Sequence, residues 1–434
     1  MRKKPFLAIV PIAVAAVGLS VAGSAAGKTG PTAAERLPSA SCSPIFYKGS
    51  GSPQYLIASD LPLQGAGRAQ PLSMVKAIQY VMERQFKFRA GTFRVGYQSC
   101  DDATAQQGGW ATEKCTANAR AYANDRSVLA VLGTFNSGCA KLEIPILNRA
   151  PGGAVAMMSP ANTAVGLTGE APWNDPGEPR IYYPTGVRNY ARVASTDAYQ
   201  GPFAADLLKR IKKKSVYILH DNQTFGKGVA NAFRARANKL DLNVEGFEPW
   251  DAKAASYEAI GERIKATGAQ SVYLGGIVCN NGVKLIKDLG AVLGRGVTLA
   301  GPDGWTPFTA TAGAGAAAQG MYISVAGLPI SKLGKSGRAF LRAFAKYQGR
   351  SVVDPYAVYS AQIAQILMRA IGNSNGTRLS VVRNMMRTRV RNGIMGTFRF
   401  DAKGDICPNQ TISFYRLVGK EGKYHSVVIR NVGC

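Results

Sequence analysis

The chain has 434 residues, too many for a single compact core, so we expect two or three domains. Hydrophobic residues make up 46% of the sequence and charged residues 18%, which are ordinary proportions for a globular protein. The net charge of +27, from 53 Lys and Arg against 26 Asp and Glu, makes nucleic acid or an anionic envelope surface a candidate partner.

The basic residues are densest in two places, 209–214 (KRIKKK) and the arginines at 378, 383, 387, 389 and 391. Neither run interleaves aromatic residues with base-reading polar residues, and the sequence has no helix-turn-helix or zinc-ligand spacing. We interpret both runs as solvated helix faces and predict no nucleic-acid partner. Weak contact with an anionic envelope surface stays open.

The N-terminus has the layout of a secretory signal peptide. Arg2, Lys3 and Lys4 precede an uncharged apolar run over 6–26 that ends in small residues. We predict a signal peptide over 1–26 and a flexible tether over 27–41. A retained membrane anchor is the alternative, because the run approaches the length of a bilayer span. Either way the protein is expected outside the cytoplasm: secreted, periplasmic or attached to the cell envelope.

Seven cysteines fit that compartment, where disulfides persist, and the odd number leaves at least one unpaired. Cys100 and Cys115 flank one loop and are the predicted pair, with Cys139 as a rival partner for either. Cys407 and Cys434 are predicted to pin the C-terminus. The sequence itself leaves the connectivity open.

Predicted strands and helices alternate along most of the chain. Strands are predicted over 54–59, 93–98, 128–132, 154–158, 215–220, 244–249, 271–274 and 298–300. Helices are predicted over 71–86, 112–124, 197–209, 229–240, 257–267 and 282–289, and then over 336–348, 358–370 and 380–387. Hairpin-like strands around 396–400 and 411–417 close the chain. Alternation from 54 to 325 predicts the α/β class, with one or two doubly wound parallel sheets.

Two of the predicted strands end in polar residues. The strand over 128–132 is followed by a turn that reaches Ser137, and the strand over 154–158 by a turn that reaches Thr163. In parallel sheets the ligand crevice lies at the carboxyl ends of the strands, beside helix N-termini that favour anions. We expect Ser137 and Thr163 to form a polar lip that holds a carboxylate. The alternative is a pair of ordinary helix caps.

Six short motifs occur in a fixed order: DLPLQG (60–65), GTFNSG (133–138), SPANT (159–163), DNQTFGKG (221–228), YLGG (273–276) and GPDG (301–304). In this order and spacing the chain resembles the periplasmic leucine/isoleucine/valine-binding proteins, from Tyr55 to about Leu417. These are the extracellular solute-binding subunits of branched-chain amino-acid ABC transporters. The resemblance implies two doubly wound α/β lobes, joined by three crossings, that close on one ligand. It places lobe one at 42–195 and 328–392, and lobe two at 196–327 and 393–434.

The resemblance also implies ligand-binding residues. On the first lobe, Ser137, Thr163 and the backbone at Ala161 match the positions that hold the ligand's carboxylate.

On the second lobe, Asp303 matches the acidic residue that takes the ligand's ammonium group. Phe225 would cover the ligand, where the family often has tyrosine. Ile277 stands where the best-known members carry an aromatic residue, which puts the identity of the ligand in doubt. Trp305 and Arg68 are further candidates for the lining of the cleft.

The expected function is therefore a monomeric, non-enzymatic carrier without a cofactor or metal. It would capture a small amino acid, branched-chain or related, and deliver it to an ABC transporter permease. The first alternative is a sensory protein that binds an amide or small acid and docks to a receptor. An adhesive role for the basic surface is another.

An enzyme is the remaining alternative, and the sequence gives it little support. Only two histidines occur, His220 and His425, and His220 at a predicted strand end is interpreted as structural. HExxH and P-loop motifs are absent, and no serine sits in a GxSxG nucleophile elbow, because the match at 372–376 (GNSNG) follows a predicted helix instead of a strand. Cys139 and Cys279 lie near the predicted crevice, but the sequence assigns neither of them a histidine base.

Overall fold

A computed structural model describes residue 1 and residues 33–34, 36–38, 40–65 and 67–434. The predicted signal peptide and most of the predicted tether lie outside these residues. Within the tether, Leu37 is only 2% exposed, and its N–H donates to the side chain of Gln98, so the chain is already packed there. No helix in the described ranges is long and apolar enough to cross a membrane.

The strands are, in chain order, β1 (Tyr55–Leu61), β2 (Arg89–Ala90), β3 (Phe93–Asp101), β4 (Ala103–Thr104), β5 (Gly109–Trp110), β6 (Val128–Gly133), β7 (Ala156–Ser159), β8 (Tyr190–Arg192), β9 (Ser215–His220), β10 (Asn243–Pro249), β11 (Ser271–Gly275), β12 (Thr298–Gly301), β13 (Tyr322–Val325), β14 (Arg389–Gly393), β15 (Gly396–Phe400), β16 (Ile406–Cys407), β17 (Asn409–Val418) and β18 (Glu421–Asn431).

The α-helices are α1 (Ala69–Tyr80), α2 (Thr112–Asn124), α3 (Ser137–Asn148), α4 (Asp197–Arg210), α5 (Thr224–Lys239), α6 (Glu258–Thr267), α7 (Gly282–Leu293), α8 (Phe308–Thr311), α9 (Lys335–Gln348), α10 (Pro355–Gly372) and α11 (Arg378–Met386). A π-helix, Val81–Gln85, continues α1, and short 3-10 turns occupy Asp303–Trp305 and Ala312–Ala318.

The first sheet has six strands in the order β2-β3-β1-β6-β7-β8, all parallel except the short edge strand β2. Successive residues of β1 point to opposite faces, and both faces are covered. Ile57 lies in the core beneath α1 and α10, whereas Leu56 and Ala58 lie in the core beneath α2 and α3. Strands buried on both faces read as continuous apolar runs, which is why this sheet was recognisable in the sequence.

The second sheet has seven strands in the order β10-β9-β11-β12-β13-β17-β18. The first five are parallel, and the last two add antiparallel strands at one edge. Tyr217 and Leu219 of β9 face one core, and Val216 and Ile218 face the other. This sheet is therefore also covered by helices on both faces over its parallel part.

The chain passes between the two sheets three times: after β8, after β13 and between β16 and β17. This architecture confirms the predicted fold class, two doubly wound α/β lobes joined by a three-crossing hinge. The limits of the lobes stay a prediction. Phe398 and Phe400 of β15 pack in the core of the first sheet, although the predicted limits assign 393–434 to lobe two.

The C-terminal strands differ from the predicted hairpin. β15 pairs with β14 and β16 in a separate three-stranded sheet, and β17 pairs with β13 and β18. The sequence did not predict β18, because this edge strand is largely exposed and lacks a continuous apolar run.

The predicted pairing of Cys100 with Cys115 is wrong. Cys100 bonds to Cys42, which lies beside it as an antiparallel bridge at the end of β3, and Cys115 of α2 bonds to Cys139 of α3. These partners depend on tertiary packing, since the cysteines come from separate elements. The remaining pairing, Cys407 with Cys434, is as predicted, and Cys279 is free.

One member of the arginine cluster is not part of a solvated helix face. Arg378 is 3% exposed, and its guanidinium donates to five backbone carbonyl oxygens, including those of Val128 at 3.0 Å and Ala123 at 2.8 Å. It fastens the start of α11 to the segments around β6. Burial lowers the pKa of Arg378 to about 10.

Candidate functional site

The carboxyl ends of the parallel strands in the two sheets face a common cavity of about 30 Å³. From the first-sheet side it is lined by Phe135, Asn136, Ser137, Ala161 and Tyr356, and from the second-sheet side by Phe225, Ile277, Asp303 and Gly304. A neighbouring cavity of about 40 Å³ shares four of these residues and extends towards Cys279. Each holds only about two water molecules, so the cleft is nearly closed.

Five of the six predicted site residues line this one cavity: Ser137, Ala161, Phe225, Ile277 and Asp303. They come from five different connections of the chain and were predicted from separate motifs. Their roles towards a ligand stay a prediction. The sixth residue, Thr163, is fully buried and lies outside the lining, one step behind the wall that Ala161 forms.

The first-sheet wall is held in shape by hydrogen bonds within its turns. The hydroxyl of Ser159, the last residue of β7, donates to the Thr134 carbonyl at 2.8 Å and accepts from the N–H groups of Ala161 and Asn162. Ser137 begins α3, so its hydroxyl lies at a helix N-terminus, where unpaired N–H groups favour an anion.

Arg192 supports the same turn from behind. It is fully buried at the end of β8, donates to the Ala164 carbonyl at 2.7 Å, and forms an ion pair with Asp405 at 2.7 Å. Because Asp405 directly precedes β16, this ion pair links the turn to the segment that leads into the third crossing.

On the second-sheet side, Asp303 follows β12 and is 6% exposed. Its carboxylate accepts hydrogen bonds from the Tyr356 hydroxyl and, at 2.8 Å, from the Gln200 amide. Burial raises the pKa of Asp303, and these two hydrogen bonds oppose the shift by stabilising the charged form. Asp303 is thus the acidic group in the cavity lining.

A second buried acid lies behind Asp303. Gln200 of α4 donates both to Asp303 and, at 3.1 Å, to Asp197 at the start of the same helix. Burial and the negative charge of Asp303 raise the pKa of Asp197 to about 8, and the backbone N–H of Asp197 donates to the Thr163 carbonyl at 2.9 Å. Thr163 therefore contacts this acid network, which explains its position behind the cavity.

The sequence did not identify Tyr356 and Gln200. A signal for Tyr356 exists: Asp354 caps α10, and Pro355 occupies its first turn, so α10 starts before the predicted position 358. That start places Tyr356 at the cleft end of the helix. Gln200 lies one turn into α4, and nothing in its local sequence distinguishes it from other helical glutamines.

A close approach of backbone segments fixes the second-sheet wall. A Cβ atom on Gly304 would overlap the carbonyl oxygen of Gly276 and would lie 2.9 Å from the ring of Phe225. Only glycine fits at this position. The GPDG turn thereby holds Asp303, Ile277 and Phe225 at one point of the cleft.

Two weaker candidates do not line the cavity. Trp305 is fully buried in the second core and donates its ring N–H to the Leu274 carbonyl at 2.7 Å. Its ring packs in the hydrophobic core. Arg68 is exposed and borders a different surface depression near the start of α1.

The enzyme candidates are also accounted for structurally. His220 accepts from the Asn222 N–H at 3.1 Å and contacts the ring of Phe247, and burial lowers the pKa of His220 to about 4. Cys139 is part of a disulfide, so it offers no thiolate. Cys279 borders the second cavity, and burial raises the pKa of its thiol, which opposes nucleophilic use.

One group of buried acids combines carboxylates with cysteine sulfur. Asp60 and Glu143 lie within 4.8 Å of the Cys139 sulfur, and Asp102 lies near both Cys115 and Cys139. The sulfur atoms are bonded to each other, so only the carboxyl groups could bind a metal. Burial raises the pKa of all three acids, and the negative charge of Asp60 adds to the rise for Asp102 and Glu143, which favours shared protons here over bound cations.

With this geometry in view, the comparison with known proteins is informative. Residues 57–423 match the periplasmic binding protein family. Among curated proteins, an amino acid binding protein of Pseudomonas aeruginosa is 26% identical over 247 residues, 56% of this chain and 63% of that protein. The leucine-, isoleucine-, valine-, threonine- and alanine-binding protein of the same organism is 29% identical over 51% of this chain and 58% of that protein. The chain thus spans less than two thirds of the length of these relatives.

Solved structures share the fold. A leucine-binding protein from Thermotoga maritima superimposes with a TM-score of 0.73 at 18% identity, covering 86% of this chain and 98% of that chain. A solute-binding protein of R. palustris solved with benzoate gives a TM-score of 0.71 at 17% identity, covering 87% of this chain and 97% of that one. The matched motifs, the two-lobed fold and the sequence relatives agree: the chain belongs to the periplasmic binding protein family, the family of the leucine/isoleucine/valine-binding proteins.

Proposed function

We propose that this protein is the extracytoplasmic solute-binding subunit of an ABC transporter. It captures a small amino acid, branched-chain or related, between its two lobes and delivers it to the permease as a monomer and without catalysis. The names of the curated relatives support an amino acid as the ligand.

The observation that carries the proposal is the pairing of opposite polarities across one cavity. Ser137 at the N-terminus of α3 offers an anion site on one wall, and Asp303 offers a carboxylate on the other. An amino acid presents the complementary pair, a carboxylate and an ammonium group. Between them, Phe135, Phe225 and Ile277 supply apolar surface for a side chain.

Asp303 matters more here than in a protein of balanced charge. With a net charge of +27, the overall field favours anionic ligands, so a cationic group needs a local carboxylate. The raised pKa of Asp303 shows that burial disfavours its charge, and an ammonium partner would compensate for that cost.

Ligand entry requires the lobes to separate, because a cavity of about 30 Å³ is too small for an amino acid. Three crossings without an intervening helix at the cleft provide the hinge. We therefore propose closure on binding, with Tyr356 and Asp303 meeting as the lobes approach.

A small organic acid is the second candidate ligand. Either a transport protein or a sensory protein could bind such an acid. The observation that favours it is that Tyr356 and Gln200 already satisfy Asp303 by hydrogen bonding. A carboxylate could then bind at Ser137 without an ammonium group at Asp303. The R. palustris relative solved with benzoate has the same fold.

Calorimetry on Asp303→Asn distinguishes an amino-acid ligand from a small organic acid. The parent and the variant are titrated with leucine, with its deaminated analogue 4-methylpentanoate, and with benzoate. We expect the variant to lose more than thirtyfold in affinity for leucine, from the roughly 2–5 kcal/mol cost of an unpaired ammonium, and to retain affinity for the deaminated acid.

Asp354→Asn is the matched control, since it is another buried aspartate near the cleft but lies outside the cavity lining, and asparagine also caps helices. If the parent binds 4-methylpentanoate or benzoate as tightly as leucine, the small acid is the better assignment. Equal losses for all ligands in Asp303→Asn would remove Asp303 from the ammonium site.

A further inference from the structure

We propose that a groove at the opposite end of the second sheet from the cleft binds the anionic headgroups of a lipid membrane. This site is independent of the proposed ligand cleft. It gives a role in membrane binding to part of the excess positive charge.

The groove has a volume of about 930 Å³. Thr298 and Tyr322, which begin β12 and β13, line it together with the C-terminal half of α7. Because the cleft lies at the carboxyl ends of these parallel strands, the groove faces away from it. Its size lies within the range of small-molecule sites, about 300–1,000 Å³.

The rim of the groove carries four cationic side chains, Lys213, Lys287, Arg295 and Arg416. No acidic residue is among the residues that line it. Within the described residues, none of the four forms a salt bridge. Elsewhere in the structure exposed cations such as Arg236 and Arg263 do pair with acids.

Further cations surround this rim. Lys213 belongs to the KRIKKK run, which the fold places where α4 leads into β9. Arg210 of that run and Arg416 both repel a proton on His425, whose ring contacts Tyr322 at the groove. The basic run and Arg416 therefore reinforce one local positive field.

The floor of the groove is apolar. Leu289, Leu299, Met321 and Leu417 line it as buried residues, and Val418 at the end of β17 is 48% exposed. A cationic rim over an apolar floor complements an amphipathic anion, such as a lipid headgroup with the first part of its acyl chain. Free inorganic phosphate would use the rim only.

The test is co-sedimentation of the full chain with vesicles of phosphatidylcholine alone and of phosphatidylcholine mixed with phosphatidylglycerol, at low ionic strength. We expect binding to the mixed vesicles only. The double variant Arg295→Glu/Arg416→Glu should lose about thirtyfold or more in partition, since one cation near an anionic surface contributes about fivefold.

The matched control is Arg342→Glu/Lys346→Glu, an equal charge change on exposed residues of α9, which packs against α1 and α10. It should lose much less than the groove variant. Equal losses for the two double variants would mean that net charge alone drives binding and would overturn the groove assignment. An unchanged midpoint of thermal unfolding, followed by circular dichroism, verifies that each variant is folded.

Two further measurements distinguish binding to a lipid surface from binding to a free anion. Val418→Ser leaves the charge unchanged and should reduce partition by about two- to threefold, from the loss of apolar contact. An unchanged partition contradicts the use of the apolar floor. Inorganic phosphate should displace the protein no better than chloride at equal ionic strength, and specific displacement by phosphate would show an anion site and overturn the membrane proposal.

Discussion

The hydroxyl of Tyr356 donates a hydrogen bond to the carboxylate of Asp303, and this bond joins two lobes. Tyr356 lies at the start of α10, which packs on the first sheet, whereas Asp303 follows β12 of the second sheet. A hydrogen bond to a charged group contributes about 1.5–3 kcal/mol, so this contact favours the closed arrangement.

Tyr356→Phe should therefore open the ligand-free protein. The ring and its contact with Phe135 at 5.4 Å remain, while the hydroxyl is lost. We expect a larger radius of gyration than for the parent in small-angle scattering. Tyr359→Phe is the control, because it makes the same change one turn along α10 at a hydroxyl without a hydrogen-bond partner. Superimposable profiles for all three proteins would contradict a latch at Tyr356.

Ser137→Ala should weaken the binding of any carboxylate ligand about tenfold or more. The hydroxyl lines the cavity at the N-terminus of α3, and its only hydrogen bond among the described residues is a long one, 3.4 Å, from the Ala164 N–H. Loss of one hydrogen bond to a charged group accounts for that size of effect. Calorimetry checks it, with Ser360→Ala, a buried serine of α10, as the control for folding.

Thr163→Val tests whether Thr163 touches the ligand or acts through Asp197. Because Thr163 lies behind the cavity wall and adjoins Asp197, whose pKa is raised to about 8, we expect its effect on affinity to change with pH. Titrations at about pH 6 and 9 measure this. A pH-independent loss as large as that of Ser137→Ala would instead indicate direct contact with the ligand.

Asp197 should make the protein less stable as the pH rises. Its pKa is about 8 in the folded protein against 3.8 as the ordinary value, so between these values the folded protein holds a proton that the unfolded chain has released. The free energy of unfolding then falls by at most about 1.4 kcal/mol per pH unit across this window, and the contribution is fully present only below about pH 4.

Asp197→Asn removes that dependence and can still accept the hydrogen bond from Gln200. We expect the variant to be more stable than the parent near pH 8 and similar to it near pH 4, as measured by urea unfolding at both pH values. Glu170→Gln, an exposed acid, should leave the slope unchanged. The prediction fails if parent and Asp197→Asn lose stability in parallel.

The disulfides predict a specific peptide map. Digestion without reduction should yield Cys42 linked to Cys100, Cys115 linked to Cys139 and Cys407 linked to Cys434, with Cys279 alone free to alkylate after unfolding. Removal of the first bond by Cys42→Ser/Cys100→Ser should cost about 4 kcal/mol of stability, because that bond closes a segment of 58 residues in the unfolded chain. A peptide linking Cys100 to Cys115 would contradict the structure.

The sequence by itself determined the alternation of strands and helices and the fold class, and the resemblance of its motifs to a known family identified five residues of the cavity. The reason is local: strands buried on both faces are continuous apolar runs, and the turns that follow them carry the polar residues. Ser137 lies in the motif that begins at the end of β6, and Asp303 lies in the motif that begins at the end of β12, so both could be identified from short stretches of sequence.

Tertiary structure decided what depends on contact between distant segments. Gln200 lies 103 residues from Asp303, and only the packing of α4 against the second sheet brings its amide to that carboxylate. Cys42 and Cys100 are likewise brought together by tertiary packing, since no rule of sequence spacing selects them as partners. Lys213 and Arg416 line the same groove, although more than one strand of the sheet lies between them. A local pattern records whether a residue is buried, but the identity of its neighbour depends on how whole elements pack.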